Sequence, residues 1–345
     1  MEDIKSGSQT RRVLVEIITA REVPLGGLRA MTVRRTLPQK KRTLIGAWCF
    51  VDHYGPDDVS QTGGMDVAPH PHSGLQTVSW LFRGEIEHRD SGSNVGIVRP
   101  GEVNLMTSGA GICHSEVSTA TTGTLHGVQL WVALPESVRE TAPRSFEHYA
   151  PDPIELEEGQ AIVFLGELCG AKSPVKTFTP LVGAEICIRK NSSLTLALDS
   201  TFEHGVLVDA GMIAVEGVSI PHAALAYVGV GADHIVITNQ SDSDGRVLLI
   251  GGQPFAEEIV MWWNFVGRST EDIRKARQEW QAHTDRFGKV TGYQGHGGTN
   301  DAGEGINSQG LARIEAPTLP NATPYVRDAI QRRMHDRRQQ EFTHK

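Results

Sequence analysis

Short runs of apolar and β-branched residues, each closed by Gly, Pro, Asn or Asp, follow one another from Arg12 to about Gly252 with little sustained helical periodicity. Residues 13–19, 76–82, 96–98, 103–106, 127–134, 161–165, 184–188, 194–198, 205–208, 223–230 and 234–238 each have a strand pattern. Their regular turn signals predict antiparallel all-β units of sandwich or barrel type. The strands fill two such units, 12–150 and 151–268, divided in the Pro- and Glu-rich stretch that begins at Ala150. A strand pair joined by a Gly-containing turn and followed by a marked return strand echoes in both halves, as a duplication would leave it.

After the strands the period changes. Ser269, Thr270, Glu271 and Asp272 have the form of a capping box, and Ile273, Ala276 and Trp280 then recur at helical spacing, predicting a helix within 269–284. Residues 291–310 hold seven glycines and almost no apolar side chain, the composition of a flexible linker. Beyond it, Thr323-Pro324 resembles an N-cap followed by Pro at the first helical position, with Val326, Ile330 and Met334 as a narrow stripe. That basic tail helix, within 285–345, carries Arg327, Arg332, Arg333, Arg337 and Arg338. Covering its own domain is the simpler reading, and docking on an acidic protein partner the other. Residues 1–11 are polar and expected to be disordered.

Composition narrows the class. In 345 residues, 33 Lys plus Arg stand against 41 Asp plus Glu, a net charge of -8. Such a balance argues against a global basic field for gripping nucleic acid or an anionic membrane. No run approaches the ~18 apolar residues of a spanning helix, and the start lacks a secretory core, so a cytoplasmic location is expected. Cys49, Cys113, Cys169 and Cys187 lie far apart with no CxxC spacing, as packed, reduced thiols would. The unusual feature is histidine: six of the 14 fall between His53 and His126.

Two pairs inside that cluster carry chemistry. His70 and His72, two apart, leave an extended segment by the same face, and a regular strand would continue that face through Gly74, Gln76, Val78, Trp80 and Phe82. That places a polar side chain and then Trp80 and Phe82 along the inside of a small barrel, with the polar site at one end. His114 and Glu116 repeat the spacing after a glycine-rich turn. Gly84 and Pro100-Gly101 supply the turns that return one strand beside the other. Facing each other, the pairs give three imidazoles and one carboxylate. This donor set suits Fe(II), Mn(II), Ni(II), Cu(II) or Zn(II) and leaves positions open for substrate, water or O2. His88 is either an outer partner of that site or a hairpin residue, and Cys113 should face away from it.

At this point the motifs reach a family. HPHSGLQTVSWLFRGEIEHRDS and RPGEVNLMTSGAGICHSE resemble the signature segments of the pirins within the cupin superfamily. The likeness continues through Asp52-His53 upstream and through LHGVQLWVALP, GAKSPVKTFTP and LLIGGQPFAEEIVMW downstream. The resemblance implies a bicupin, two tandem antiparallel β-barrels with a short C-terminal helical extension. It implies one metal ion in the first barrel, commonly iron, held by His70, His72, His114 and Glu116. The second half has His204, His222 and His234 but no such pair, so its barrel is expected to be metal-free. Many pirins carry Glu where this chain has Gln76 and Arg where it has Ser73; a neutral Gln76 cannot serve as a base.

Three functions follow as alternatives. The first is an Fe(II) dioxygenase of quercetin 2,3-dioxygenase type acting on a flavonol or similar vicinal hydroxy-ketone, with Glu116 as both ligand and base. The second is a non-enzymatic, iron-dependent regulator that binds a transcription factor or metabolic enzyme through its tail. The third is a Zn(II) isomerase or hydrolase.

Overall fold

The computed structural model describes residues 13–25 and 31–320, and the backbone of Val326–Arg327. It consists of two cupin barrels, each a seven-stranded sheet folded against a four-stranded one. In the first barrel the large sheet runs Ser145–Tyr149, Val103–Thr107, Leu75–Arg83, Thr124–Ala133, Trp48–Asp58, Thr32–Leu37, Arg21–Pro24. Its small sheet runs Asp66–His72, Ile112–Ser118, Ile86–Asp90, Val95–Val98. The second barrel repeats the plan, with one exchange: Val15–Ile18 crosses over to pair antiparallel with Leu225–Val228. The opening strand of the chain therefore completes the second barrel, although it precedes the first.

The two large sheets pack face to face, and their shared core combines Trp48, Trp80 and Phe82 from one barrel with Phe164, Leu207 and Leu248 from the other. Both buried indoles find acceptors across this junction: Trp48 Nε1 donates to the Gly251 carbonyl at 3.0 Å and Trp80 Nε1 to Glu185 Oε2 at 2.7 Å. Trp80 also stacks on Phe164 with ring centroids 4.6 Å apart. The interior of the second barrel is packed with Val, Ile, Leu and Ala side chains such as Val163, Ile186, Val206 and Ile237.

These contacts revise one expectation. Trp80 and Phe82 do not line the first barrel's interior, because the face that carries His70 and His72 does not continue past Ser73. There the chain leaves the small sheet for the large one: Ser73 bridges to Phe265 and its carbonyl accepts from Val266 N at 3.0 Å. Gly74 makes the corner at φ +72°, where a Cβ would stand 2.1 Å from the Val266 carbonyl oxygen. The corner resets the alternation, so odd-numbered Ser79 and Leu81 face inward while Val78, Trp80 and Phe82 face the second barrel. Substituting Trp80→Phe should cost about 1–2 kcal/mol in denaturant unfolding, since the buried Glu185 carboxylate loses its indole donor and keeps only the weak Cys187 thiol donor and the more distant Arg246.

The C-terminal helix spans Thr270–Gln281, capped by the reciprocal Ser269 and Asp272 bonds, and buries Ile273, Ala276 and Trp280. The glycine-rich stretch 291–310, linker-like in composition, runs over the first barrel. Tyr293 and Asn307 are buried there, and the short strands Gly298–Thr299 and Gly305–Ile306 pair with each other. What composition hides is a set of backbone and side-chain bonds that need no apolar residues. Residues 1–11 and most of the segment expected as a basic tail helix lie outside the described residues; its Val326 and Arg327, expected in that helix, instead pair as a strand with Ile259–Val260. Among the described residues no helix is long and apolar enough to cross a membrane.

Candidate metal centre

Antiparallel pairing of Ile112–Ser118 with Asp66–His72 sets His114 opposite His70 and Ile112 opposite His72. A register shift after His114 then brings Glu116 opposite Val67, while the other edge pairs Glu116 with His88 and His114 with Asp90. Two dipeptide-spaced pairs, far apart in sequence, thereby converge inside one barrel. The ligand-type nitrogens of His70, His72 and His114 lie within 4.8 Å of one another. Glu116 stands outside that group and shares the cavity wall with His70 and His72.

Burial decides the protonation states. It pushes the His70 imidazole down to about 4, against the hydrogen bond between Nδ1 and the Ala68 carbonyl. His72 and His114 are held well below the usual histidine range, first by burial and then by neighbouring imidazoles. All three are neutral at pH ~7, the state in which imidazole coordinates a metal. Burial pushes the Glu116 carboxyl up to about 7, against hydrogen bonds from Gln129 and Ser79. Ser79 Oγ also lies 2.8 Å from Gln129 Oε1, so its single hydroxyl hydrogen serves either the Glu116 carboxyl or the Gln129 amide oxygen.

The ring orientations favour an ion. His114 Nδ1 lies 3.2 Å from His88 Nδ1, and His88 Nε2 lies 3.3 Å from Asp90 Oδ2. That chain assigns hydrogens: His88 donates from Nε2 to Asp90, accepts at Nδ1 from His114, and leaves the His114 Nε2 lone pair free. His114 Nε2 is buried with no hydrogen-bond partner, a costly position for a nitrogen unless a metal takes it. His88 thus lies directly behind His114, and it also stacks on Phe146 with centroids 4.5 Å apart. Substituting His88→Phe keeps that stack and removes the acceptor, so metal affinity should fall ~10–100-fold with the fold retained, as read by competition with a fluorescent chelator.

Above the histidines opens a cavity of about 630 Å³. On one side Phe50 and Trp131 stack with centroids 4.0 Å apart, and Trp131 meets His72 edge-on at 5.0 Å. Arg35 grips Asp52 with both guanidinium arms at 2.6 Å and lies over the Phe50 ring. Trp262, Trp263 and Asn264 form the facing wall.

Of the residues singled out in sequence, His70, His72, His114, Glu116 and His88 come together. Gln76, Trp80 and Phe82 do not. Gln76 Nε2 donates to Thr107 Oγ1 and to the Lys176 carbonyl, at 2.9 and 3.1 Å, so the missing carboxylate at this position takes nothing from the cavity. Sequence reasoning misses Ser79, Gln129, Phe50 and Trp131: Ser79 sits on the strand whose phase the Gly74 corner sets, and the other three lie on neighbouring strands whose facing follows from long-range register, Gln129 opposite Ser79 and Trp131 opposite Phe50. Cys113 packs on the outer face with Phe265, Trp280 and Phe287.

A second group, His53, His126 and Asp209, meets the same distance criterion at the barrel junction. Its donors are already used. Both Nε2 atoms lie 2.6 Å from Asp209 Oδ1, Arg246 Nε donates to Oδ2 at 2.7 Å, and Arg34 Nε donates to His53 Nδ1 at 3.1 Å. The Arg34 bond fixes the hydrogen of neutral His53 on Nε2, facing Asp209, so that nitrogen has no lone pair to offer an ion.

The family model described as Pirin matches residues 30–132, and that described as Pirin C-terminal cupin domain matches 183–288. A Pseudomonas aeruginosa protein named "putative quercetin 2,3-dioxygenase" is 44% identical, over 82% of this chain and 88% of its own. A Caulobacter vibrioides pirin-like protein is 34% identical over 77% and 92%. The crystal structure of a quercetin 2,3-dioxygenase from Acinetobacter baumannii superposes with a TM-score of 0.80 at 36% identity, covering 90% of this chain and 98% of that one.

Proposed function

The chain belongs to the pirin family, and from that premise we propose a metal-dependent dioxygenase of quercetin 2,3-dioxygenase type, acting on a flavonol or similar vicinal hydroxy-ketone. The observation that carries this reading is the convergence of three neutral imidazoles, His70, His72 and His114, beside an aromatic-lined cavity whose wall also carries the Glu116 carboxyl. The names of the relatives from Pseudomonas aeruginosa and Acinetobacter baumannii support the substrate class.

His70, His72, His114 and Glu116 would hold the ion, Fe(II) in this reading, with Mn, Ni, Cu or Zn as the other members that the donor set accepts. Once bound, such an ion supplies Lewis acidity toward paired substrate oxygens and redox chemistry toward O2. The protein's own side chains do the rest. Phe50 and Trp131 offer a flat face for an aromatic ring, and Trp262 and Trp263 add further aromatic wall. Gln129 and Ser79 orient the Glu116 carboxylate, whose free oxygen accepts the proton of the substrate hydroxyl.

The test is anaerobic mixing of Fe(II)-loaded protein with quercetin, followed by admission of O2. The expected result is O2-dependent loss of the flavonol absorbance in wild type and its absence in Glu116→Ala. A flavonol spectrum that persists after O2 overturns the assignment.

A further inference from the structure

Residues 289–317 follow the last residue matched by the second family model, at 288, and are fastened to the strand that carries His70 and His72. At the start of that strand, Asp66 collects three bonds from the segment: Ser308 N and His296 N reach Oδ2 at 2.7 and 3.1 Å, and the Tyr293 hydroxyl reaches Oδ1 at 3.1 Å. Immediately before His70, the Pro69 carbonyl accepts from Ile314 N at 2.9 Å. From behind, Trp280 Nε1 donates to the Ile314 carbonyl at 3.0 Å and the Arg313 guanidinium lies 3.4 Å over the Trp280 ring. So fixed, the segment turns Gln309, Leu311, Ile314 and Pro317 toward the cavity above the histidines. Leu311 keeps 38% of its surface exposed, one of few large apolar side chains among the described residues that do.

We infer that this C-terminal strap is the outer wall of the metal-site cavity and selects flat, multi-ring aromatic ligands, whose distal ring lies against Leu311. The inference rests on the flavonol-type reading for the chelating end of the ligand and adds the surface that the far end meets. A single chelating ring needs only the histidine floor. The cavity, at about 630 Å³, is of the size that encloses larger ligands, and the strap lines it together with the aromatic rings of Phe50, Trp131, Trp262 and Trp263 and the Arg35–Asp52 pair. An exposed leucine gains by being covered with an apolar ring, while Gln309 and Glu315 supply the polar part of the strap's lining.

Full-length protein loaded with Fe(II) under anaerobic conditions supplies the test, with quercetin as the three-ring probe and maltol as the one-ring hydroxy-ketone. Substituting Leu311→Asp should weaken quercetin binding ~10-fold or more and leave maltol within ~2-fold, with unchanged metal content; Leu311→Trp should likewise exclude quercetin while maltol still binds. Equal effects on both probes, or no effect on quercetin, overturn the wall. Wild type that binds neither probe refutes the flavonol reading instead. The wall is then decided by metal extraction: Leu311→Trp should slow removal by three-ring 1,10-phenanthroline and not by single-ring dipicolinate, and equal rates for wild type and variant with both chelators overturn it.

Discussion

Replacing His114→Ala should abolish metal retention while leaving the barrel folded. Elemental analysis after dialysis should find the variant's metal content lower than wild type by more than the ~10–100-fold that loss of an outer partner costs, because a direct donor has gone. The rise in melting temperature that wild type gains from added metal, which grows with the ratio of free ion to Kd, should vanish with it. In the apo protein alanine removes a buried nitrogen, His114 Nε2, that has no protein hydrogen-bond partner, but it also takes the donor from buried His88 Nδ1 and the packing that the ring supplied, so an ordinary buried-truncation cost is expected. His53→Ala is the matched control, since His53 belongs to a cluster of similar spacing whose lone pairs and hydrogens are already committed to Arg34 and Asp209. It should keep wild-type metal content and lose stability instead. Burial alone would raise the Asp209 carboxyl, yet hydrogen bonds from His126 and His53 and the Arg246 charge hold it far below the usual carboxylate range. Equal metal content in His114→Ala and wild type would refute the site.

The contrast between these clusters shows what the sequence could and could not reveal. His70/His72 and His114/Glu116 were legible because a two-residue spacing fixes a common face on any strand, and glycine turns at readable positions fold one strand onto the other. The junction cluster has no local spacing: His53, His126 and Asp209 come from three strands in two barrels, so only the face-to-face packing of the large sheets assembles it. Gln76, Trp80 and Phe82 failed for a related reason. Alternation gives the relative facing of residues within a strand, and its sign is set by the corner that starts the strand; Ser73 and Gly74 reverse it. Both barrels, their antiparallel strands and the capped helix could be read from turn signals and period, which are local. The exchange of Val15–Ile18 into the second barrel and the docking of the glycine-rich strap could not, because neither strand pairing partner nor backbone bonding to Asp66 and Pro69 leaves a mark in hydrophobic pattern.

Glu116→Gln should make the metal-free protein more stable at neutral pH and less able to bind metal, with both effects fading toward acid. The carboxyl keeps its proton up to about 7 in the fold and only to its ordinary 4.5 in the unfolded chain. Native protein thus binds the extra proton between these values, so its stability falls as pH rises through that window. The penalty amounts to roughly 3 kcal/mol, fully developed above pH ~7 and absent below ~4.5. The neutral histidines act in the opposite sense. His70, His72 and His114 are depressed in the fold, so they lower stability as pH falls below their ordinary 6.5, and the raw pH profile of wild type mixes both slopes. The difference between Glu116→Gln and wild type isolates the carboxyl, because Gln preserves size and can still bond Ser79 and Gln129. Without metal, that difference in melting temperature should grow by several degrees from pH ~5 to ~8. With metal present the order should invert near neutrality, since binding takes up the carboxylate and expels its proton. Proton release on metal addition, measured in weakly buffered solution, should be near one per chain below pH ~6, small above ~8 and absent in the variant. A pH-independent difference between the two metal-free proteins would show that Glu116 ionises alike in the folded and unfolded chain, and would refute the burial-raised carboxyl.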